Sequence, residues 1–354
     1  MEYPPGALAV FLPPAAAGSA HYNAAFKALM ALCGAATLVV VALLLARLGA
    51  SSARLWTAVF LVAISPVALG PISLNTYDVW PALLVVAALL GLLSGWVSVA
   101  FALLGLAFVA KVYPVVLLPP ALVFVWRRGG RAVALRAAGA FAVVAALGVL
   151  PFLVLAPHGL AESFRAQAAR ALQVESLGGA ALAAADRLGW YSATVVHHTG
   201  HAISYDLVGA LPRALAAASS AAELLALIAA TWLYARGRDD SRRLALAFAA
   251  AVAGFLAFTR FFSPQYLVWL IPLVALLGPL SWLLTAAALV LAQIWFFHYP
   301  DVFALGGYVW LVLARDVLVV ALFAGALFGL GRRRAAEDED AVLLEHESPV
   351  RVSS

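Results

Sequence analysis

Leu117-Leu-Pro-Pro-Ala-Leu-Val-Phe-Val-Trp126 runs directly into Arg127-Arg128-Gly129-Gly130-Arg131-Ala-Val-Ala-Leu-Arg136, after which apolar residues resume as far as position 155. Four arginines thus separate an apolar run at about 113–126 from another at 132–155. A helix needs roughly 20 apolar residues to cross a bilayer, and short loops rich in Lys and Arg mark the cytoplasmic side. The stretch reads as two membrane crossings joined on the cytoplasmic face. The same signature recurs outward in both directions, at Arg47 with Arg54, at Arg236, Arg238, Arg242 and Arg243, and at Arg332 to Arg334.

The whole composition agrees. The 354 residues are 65% hydrophobic and 11% charged, with a mean hydropathy of +1.01, whereas a soluble domain carries about 25% charged residues. The net charge of +5 is the excess of orienting arginine and not a nucleic-acid footprint. The lone cysteine, Cys33, excludes an internal disulfide and a cysteine metal site. No basic leader precedes the first apolar run, so no cleavable signal peptide is read. Abundant Ala, Gly, Val and Arg suggest a bacterial genome of high GC content.

Spans fall at about 24–48, 54–70, 79–94, 96–112, 113–126, 132–155, 209–235, 241–260, 264–278, 281–297 and 304–331, which makes an all-α polytopic membrane protein of about 11 transmembrane helices. Pro66, Pro114, Pro119, Pro120 and Pro272 interrupt several of them, as membrane helices tolerate. This count puts Met1 outside and the C-terminus in the cytoplasm of a bacterial plasma (inner) membrane. Residues 1–334 form a single multi-spanning domain, and the acidic tail 335–354 is expected to be disordered. The extracytoplasmic pieces are residues 1–22, the 71–78 loop, the Lys111 turn, a long segment 156–208, the 260–265 turn and 298–303. Within the long segment, 160–188 has the spacing of one amphipathic helix lying on the membrane, and His197-His198-Thr-Gly-His201 reads as loop. Glu223 falls in mid-span. Arg315-Asp316 sits in the outer part of the last span, with 304–313 an alternative interfacial helix.

This topology gathers the polar motifs on the outer side. Glu2-Tyr-Pro-Pro5 precedes the first span and suits the start of a helix. Asn75-Thr-Tyr77-Asp78-Val-Trp-Pro81 joins two spans; Asp78 suits a helix N-cap, or a carboxylate facing a polar substrate. Lys111-Val-Tyr113-Pro114 ends a span with one of only two lysines, either snorkelling or offering a point charge to a lipid-linked phosphate. Arg170-Ala-Leu-Gln173-Val-Glu175-Ser176 places Arg170 and Gln173 on one helix face. Arg260-Phe-Phe-Ser263-Pro-Gln265-Tyr266 forms an outer turn where arginine beside aromatics suits a phosphate headgroup. His197, His198 and His201 lack the helical carboxylate pattern of a zinc site, so hydrogen bonding or proton transfer, or a plain loop role, is the reading for them and no metal site is expected.

The ordered set Glu2-Tyr-Pro-Pro5, Asn75-x-Tyr-Asp78-x-x-Pro81, Lys111-x-Tyr-Pro114, Gln173-Val-Glu-Ser176 and Ser263-Pro-Gln-Tyr266 resembles glycosyltransferase family 87, over residues 2 to about 334. The resemblance implies a GT-C-like fold and a hexosyltransferase using a polyprenyl-phosphate-linked sugar, mannose above all, with a lipid or glycan acceptor in or at the membrane. Lys111, Arg170 and Arg260 would contact the donor phosphate. Asn75, Tyr77, Asp78, Tyr113, Gln173, Glu175, Ser176, His197, His198, Ser263, Gln265 and Tyr266 would hold sugar or acceptor. No cofactor is required; a divalent cation is compatible with the fold but not indicated. In relatives a first helix and an outer-loop Asp, the base, precede Glu-Tyr-Pro-Pro. This sequence opens at that motif, so the expectation is a late start or a truncation, which leaves Glu2, Asp78 and Glu175 as candidate bases. The competing readings are a lipid or polyprenyl transporter or flippase, disfavoured by the absence of an internal repeat, and a non-catalytic membrane subunit.

Overall fold

The computed structural model describes residues 4–168, 170–198 and 204–346. A 3-10 turn at Pro5–Ala7 leads into α1 (Leu8–Ala15), α2 (Tyr22–Arg47), α3 (Ser52–Leu69), α4 (Ile72–Asn75), α5 (Val79–Leu93) and α6 (Val97–Ala110). Next come α7 (Leu118–Leu155), α8 (Pro157–Ala168), β1 (Leu172–Gln173), α9 (Leu177–Arg187), β2 (Thr194–His198) and β3 (Ser204–Val208). The chain continues through α10 (Ala210–Arg236), α11 (Ser241–Phe258), α12 (Ile271–Val274), α13 (Pro279–Phe296), α14 (Tyr299–Phe303) and α15 (Val309–His346). Among the described residues, seven helices are long and apolar enough to cross a membrane: α2, α3, α7 with its leading turn, α10, α11, α13 and α15 as far as Arg332.

The arginine-flanked hairpin is visible within α7. The stretch Tyr113–Leu155 has 43 residues, about twice what one crossing needs, and it breaks at Gly130, where φ is 72° and ψ is −177°. Residues with a Cβ avoid that conformation. Beyond the break the chain runs parallel to α6, since Gly105 lies against Phe141 and Gly148 against Val109. The arms at 118–129 and 131–155 therefore stand as two separate rods.

α5 and α6 have only 15 and 14 residues. Both are apolar all round and deeply buried, as such helices must be. α11 is buried along most of its length, from Arg243 to Ala257, and forms the axis on which α10 and α15 pack. The expected span at 264–278 is not one helix. Pro264–Trp269 forms a 3-10 turn and only α12 follows it. Pro264 and Pro272 each remove a backbone donor, and irregular backbone survives at membrane depth only where protein encloses it. Tyr266 to Leu276 are accordingly buried.

The segment 156–208 differs most from expectation. Residues 160–188 form two helices rather than one, and Arg170 and Gln173 do not share a helix face. The Gln173 N–H donates to the Arg260 carbonyl at 3.0 Å, and β1 pairs antiparallel with β3, with Leu172 opposite Leu207 and Gln173 opposite Asp206. β2 pairs with β3 from the other side, giving the order β1-β3-β2. His197 and His198 lie on β2, not in a loop, and the His197 ring stacks on Tyr205 at 4.2 Å. His201 and Glu2 lie outside the described residues.

Arg315 lies inside α15, fully buried and paired with Asp316 at 2.8 Å. α15 runs past the arginines to His346. Ala, Glu and Leu are strong helix formers, and extending an existing helix avoids the cost of nucleation.

Candidate functional site

A cavity of about 880 Å³ opens at the end of the bundle away from the arginine islands. Its wall draws on every motif in turn: Pro4 and Pro5; Tyr77; Lys111 and Tyr113; Arg170 and Gln173; Arg260, Ser263, Gln265 and Tyr266. Helix ends bring them together. α6 stops at Ala110 and delivers Lys111, while α11 stops at Phe258 just before Arg260. Ser263 then stands at the N-cap of the 3-10 turn that carries Gln265 and Tyr266.

Beneath the wall lies a charged and aromatic knot. Lys111 Nζ is 2.6 Å from Asp78 Oδ1, and the same oxygen accepts from Trp269 Nε1 at 2.7 Å. The ammonium stands 4.9 Å, 4.8 Å and 5.1 Å from the ring centres of Tyr77, Tyr266 and Trp269, within cation–π range. Trp269 stacks on Tyr113 at 3.9 Å and on Tyr266 at 4.3 Å. Tyr77 is fixed by its hydroxyl, which donates to the Ala110 carbonyl at 3.2 Å. Asp78 occupies the N-cap position of α5 but makes no capping bond; its carboxylate is spent on Lys111 and Trp269.

The other cations stand around the rim. Arg170 lies 4.9 Å from the Phe261 ring centre and close enough to Tyr266 to hydrogen-bond its hydroxyl. Arg260 faces Glu223, which lines the same cavity from α10. Val112, Val115 and Leu224 also line it and are exposed on the flank of the bundle, so one side of the cavity is open and apolar. Two buried polar atoms, Tyr113 Oη and Gln173 Oε1, have no hydrogen-bond partner among the described residues, although buried polar groups are almost always paired.

Several expected residues are not on this wall. Asp78 lies beneath it, 1% exposed. Asn75 is exposed at the end of α4, and His197 stands on the sheet. Glu175 and Ser176 are buried in the turn between β1 and α9. Ser176 caps α9, accepting from the Gly179 N–H at 3.2 Å, and donates to the Gln173 carbonyl at 2.8 Å. Burial pushes the Glu175 carboxyl up to about 7; Arg315 and Arg170 oppose this, and Asp316 and Asp206 add to it. Trp269 and Glu223 are wall residues that the motif reading did not assign to the site. Trp269 lies three residues beyond Tyr266, the spacing of one helix face, and Glu223 is a carboxylate in mid-span, itself a functional signal. Among the described residues no group of three or more His, Cys, Asp and Glu side chains gathers in metal-binding range.

No curated protein matches the chain. The family model of glycosyltransferase family 87 matches residues 2–264, from the Glu2-Tyr-Pro-Pro5 motif through Ser263-Pro264. The cavity is built mainly from residues inside that match, and the chain belongs to glycosyltransferase family 87, a membrane glycosyltransferase with a sugar donor and an acceptor.

Proposed function

We propose that this enzyme transfers mannose from a polyprenyl-phosphate donor to a lipid or glycan acceptor, on the extracytoplasmic face of the plasma (inner) membrane. The observation that carries the reading is the division of one cavity into a cationic part, with Lys111, Arg170 and Arg260, and an apolar part open at Val112, Val115 and Leu224. A phosphate suits the first and a prenyl chain the second. The unpartnered Tyr113 Oη and Gln173 Oε1 suit sugar hydroxyls.

In the reaction the acceptor oxygen bonds to the anomeric carbon as the bond from that carbon to the phosphate oxygen breaks. The leaving phosphate is already ionised, so positive charge rather than a general acid assists its departure. Arg170 supplies that charge directly, and Arg260 does so beside Glu223. Lys111 contributes less, because Asp78 neutralises much of it. The acceptor proton goes to a carboxylate. Asp78 is a poor base, held by two donors. The remaining candidates are Glu223 on the cavity wall, Glu175, in the turn just after the wall residue Gln173, and Glu2, two positions before the wall residue Pro4.

The test is transfer of label from polyprenyl-phosphate mannose by membranes carrying the enzyme. Arg170→Ala and Arg260→Ala should each raise the apparent KM for donor about tenfold to a hundredfold, the range of charge-assisted contacts. Arg260→Lys should recover only part, since it lacks the planar fork. Transfer from a nucleotide sugar that persists without the lipid-linked donor would overturn the donor assignment.

A further inference from the structure

A second cavity, of about 600 Å³, lies at the arginine-rich end, between α3, α11, α13 and α15. Two guanidinium groups stand on its wall, those of Arg54 and Arg242. Arg54 Nη2 donates to the Leu276 carbonyl at 2.8 Å and the Leu277 carbonyl at 3.1 Å. Arg242 donates to the Leu48 carbonyl through Nε at 3.1 Å and Nη2 at 2.8 Å. These bonds aim the side chains but neutralise neither. Among the described residues no carboxylate pairs with either group, and none lines the cavity. Arginines elsewhere differ: Arg128 is paired with Asp239 and Arg315 with Asp316. Each fork keeps N–H groups outside these bonds. The first turn of α13, from Pro279 to Trp282, forms part of the wall as well, and the start of a helix carries positive potential. Apart from Thr57 the rest is apolar, with Leu61 and Leu246.

We propose that this cavity binds an anionic glycerophospholipid, with its phosphate between Arg54 and Arg242 and its acyl chains along Leu61 and Leu246. Basic pockets between membrane helices take such headgroups, and a guanidinium fork matches phosphate oxygens in pairs. The volume lies in the range of ligand sites. A free phosphate shares the charge chemistry but has nothing to place against the apolar wall. The site is remote from the glycosyl-transfer cavity and its assignment does not depend on the donor.

The test is lipid retention by the full-length protein in neutral detergent, read by native mass spectrometry. The probes are phosphatidylglycerol, phosphatidylcholine and inorganic phosphate. Phosphatidylglycerol should be retained about tenfold more strongly than phosphatidylcholine, and Arg54→Gln/Arg242→Gln should abolish the preference. Those arginines also brace the helix ends, so a second variant separates binding from bracing. Gly325 lines the cavity, and a Cβ added there meets nothing within 4 Å. Gly325→Leu should fill the cavity, leave thermal unfolding in lipid-free detergent unchanged and lose the bound phosphatidylglycerol. Equal retention of both phospholipids by the unmodified protein would overturn the proposal. So would a folded Gly325→Leu that retains phosphatidylglycerol fully. Displacement by equimolar inorganic phosphate would overturn the lipid as occupant.

Discussion

Lys111 and Asp78, 33 positions apart, are joined by a 2.6 Å ion pair whose side chains are only 15% and 2% exposed. The pair fastens the end of α6 to the start of α5, and Trp269 closes over it by donating to the same carboxylate oxygen. A charge at this depth needs a partner, and the partner here comes from the neighbouring loop motif. Glu223 faces Arg260 on the same wall, so the net positive charge of the cavity rests mainly on Arg170, with Lys111 serving to hold the aromatic floor of Tyr77, Tyr266 and Trp269 in place.

This arrangement predicts strong coupling. Asp78→Asn strands the ammonium and Lys111→Met strands the carboxylate, and each should cost about 3–5 kcal/mol, the usual result of breaking a buried pair. Asp78→Asn/Lys111→Met removes both charges and should recover a large part of that loss. Denaturant unfolding of the four proteins in one detergent measures the coupling. Losses that simply add in the double variant would show that the pair is not a unit.

The positions of the arginines made the bundle legible. Charge in lipid is costly enough that Arg127, Arg128 and Arg131 mark a hairpin without knowledge of any tertiary contact, and Gly130 turns the chain where they indicate. The same logic placed Lys111 and Arg260 at helix ends, where the cavity uses both. The small sheet had no comparable signal. β1 is two residues long, and it pairs with a strand more than 30 residues away, so neither length nor periodicity reveals it. The roles of carboxylates were hidden for a related reason. Asp78 and Glu175 are both acidic residues between the long helices, and only packing shows that one is held by Lys111 and the other buried behind Gln173.

Glu175 should make stability depend on pH. Burial raises its carboxyl from the ordinary 4.5 to about 7, so the folded protein holds this proton more tightly than the unfolded chain does. The stabilising contribution is complete below pH 4.5 and is lost as pH rises to about 7. At 1.36 kcal/mol per unit the loss is roughly 3 kcal/mol. Glu175→Gln stays neutral, so it should lose less stability than the unmodified protein across that window and be the more stable of the two at pH 8. Thermal unfolding from pH 4.5 to 8 reads this directly; a stability difference that does not change with pH would remove Glu175 as the titrating group.

The turn that carries Gln173 should be sensitive to the size of a single residue. Ser176→Ala removes the cap of α9 and should cost about 1 kcal/mol. A Cβ at Gly179 would meet the Gln173 carbonyl, so Gly179→Ala should cost more, up to about 3 kcal/mol, by overpacking. It should also raise the donor KM, because Gln173 lines the cavity. Unfolding and donor kinetics on both variants check this, and a Gly179→Ala protein no less stable than Ser176→Ala would show that the close approach does not hold.

Arg315 is the remaining brace of the site. It is fully buried, donates from Nε to Asp316 at 2.9 Å and from Nη1 to the Phe262 carbonyl at 3.3 Å, and reaches the Glu175 carbonyl through Nη2. One guanidinium thus ties the last span to the turn before α9 and to the segment carrying Arg260 and Ser263. Arg315→Met leaves Asp316 as an uncompensated buried charge and should cost about 3–5 kcal/mol. Arg315→Lys keeps the charge, but a single nitrogen does not reproduce the fork across three acceptors, so it should recover part of the stability only. Arg315→Met/Asp316→Leu separates the two roles. Removing both charges should restore most of the stability, while the Glu175 and Phe262 carbonyls still lack their donor. The donor KM should therefore stay raised when stability has returned. Unfolding and donor kinetics on the same three variants decide it: a double variant normal in both would reduce Arg315 to the counter-ion of Asp316.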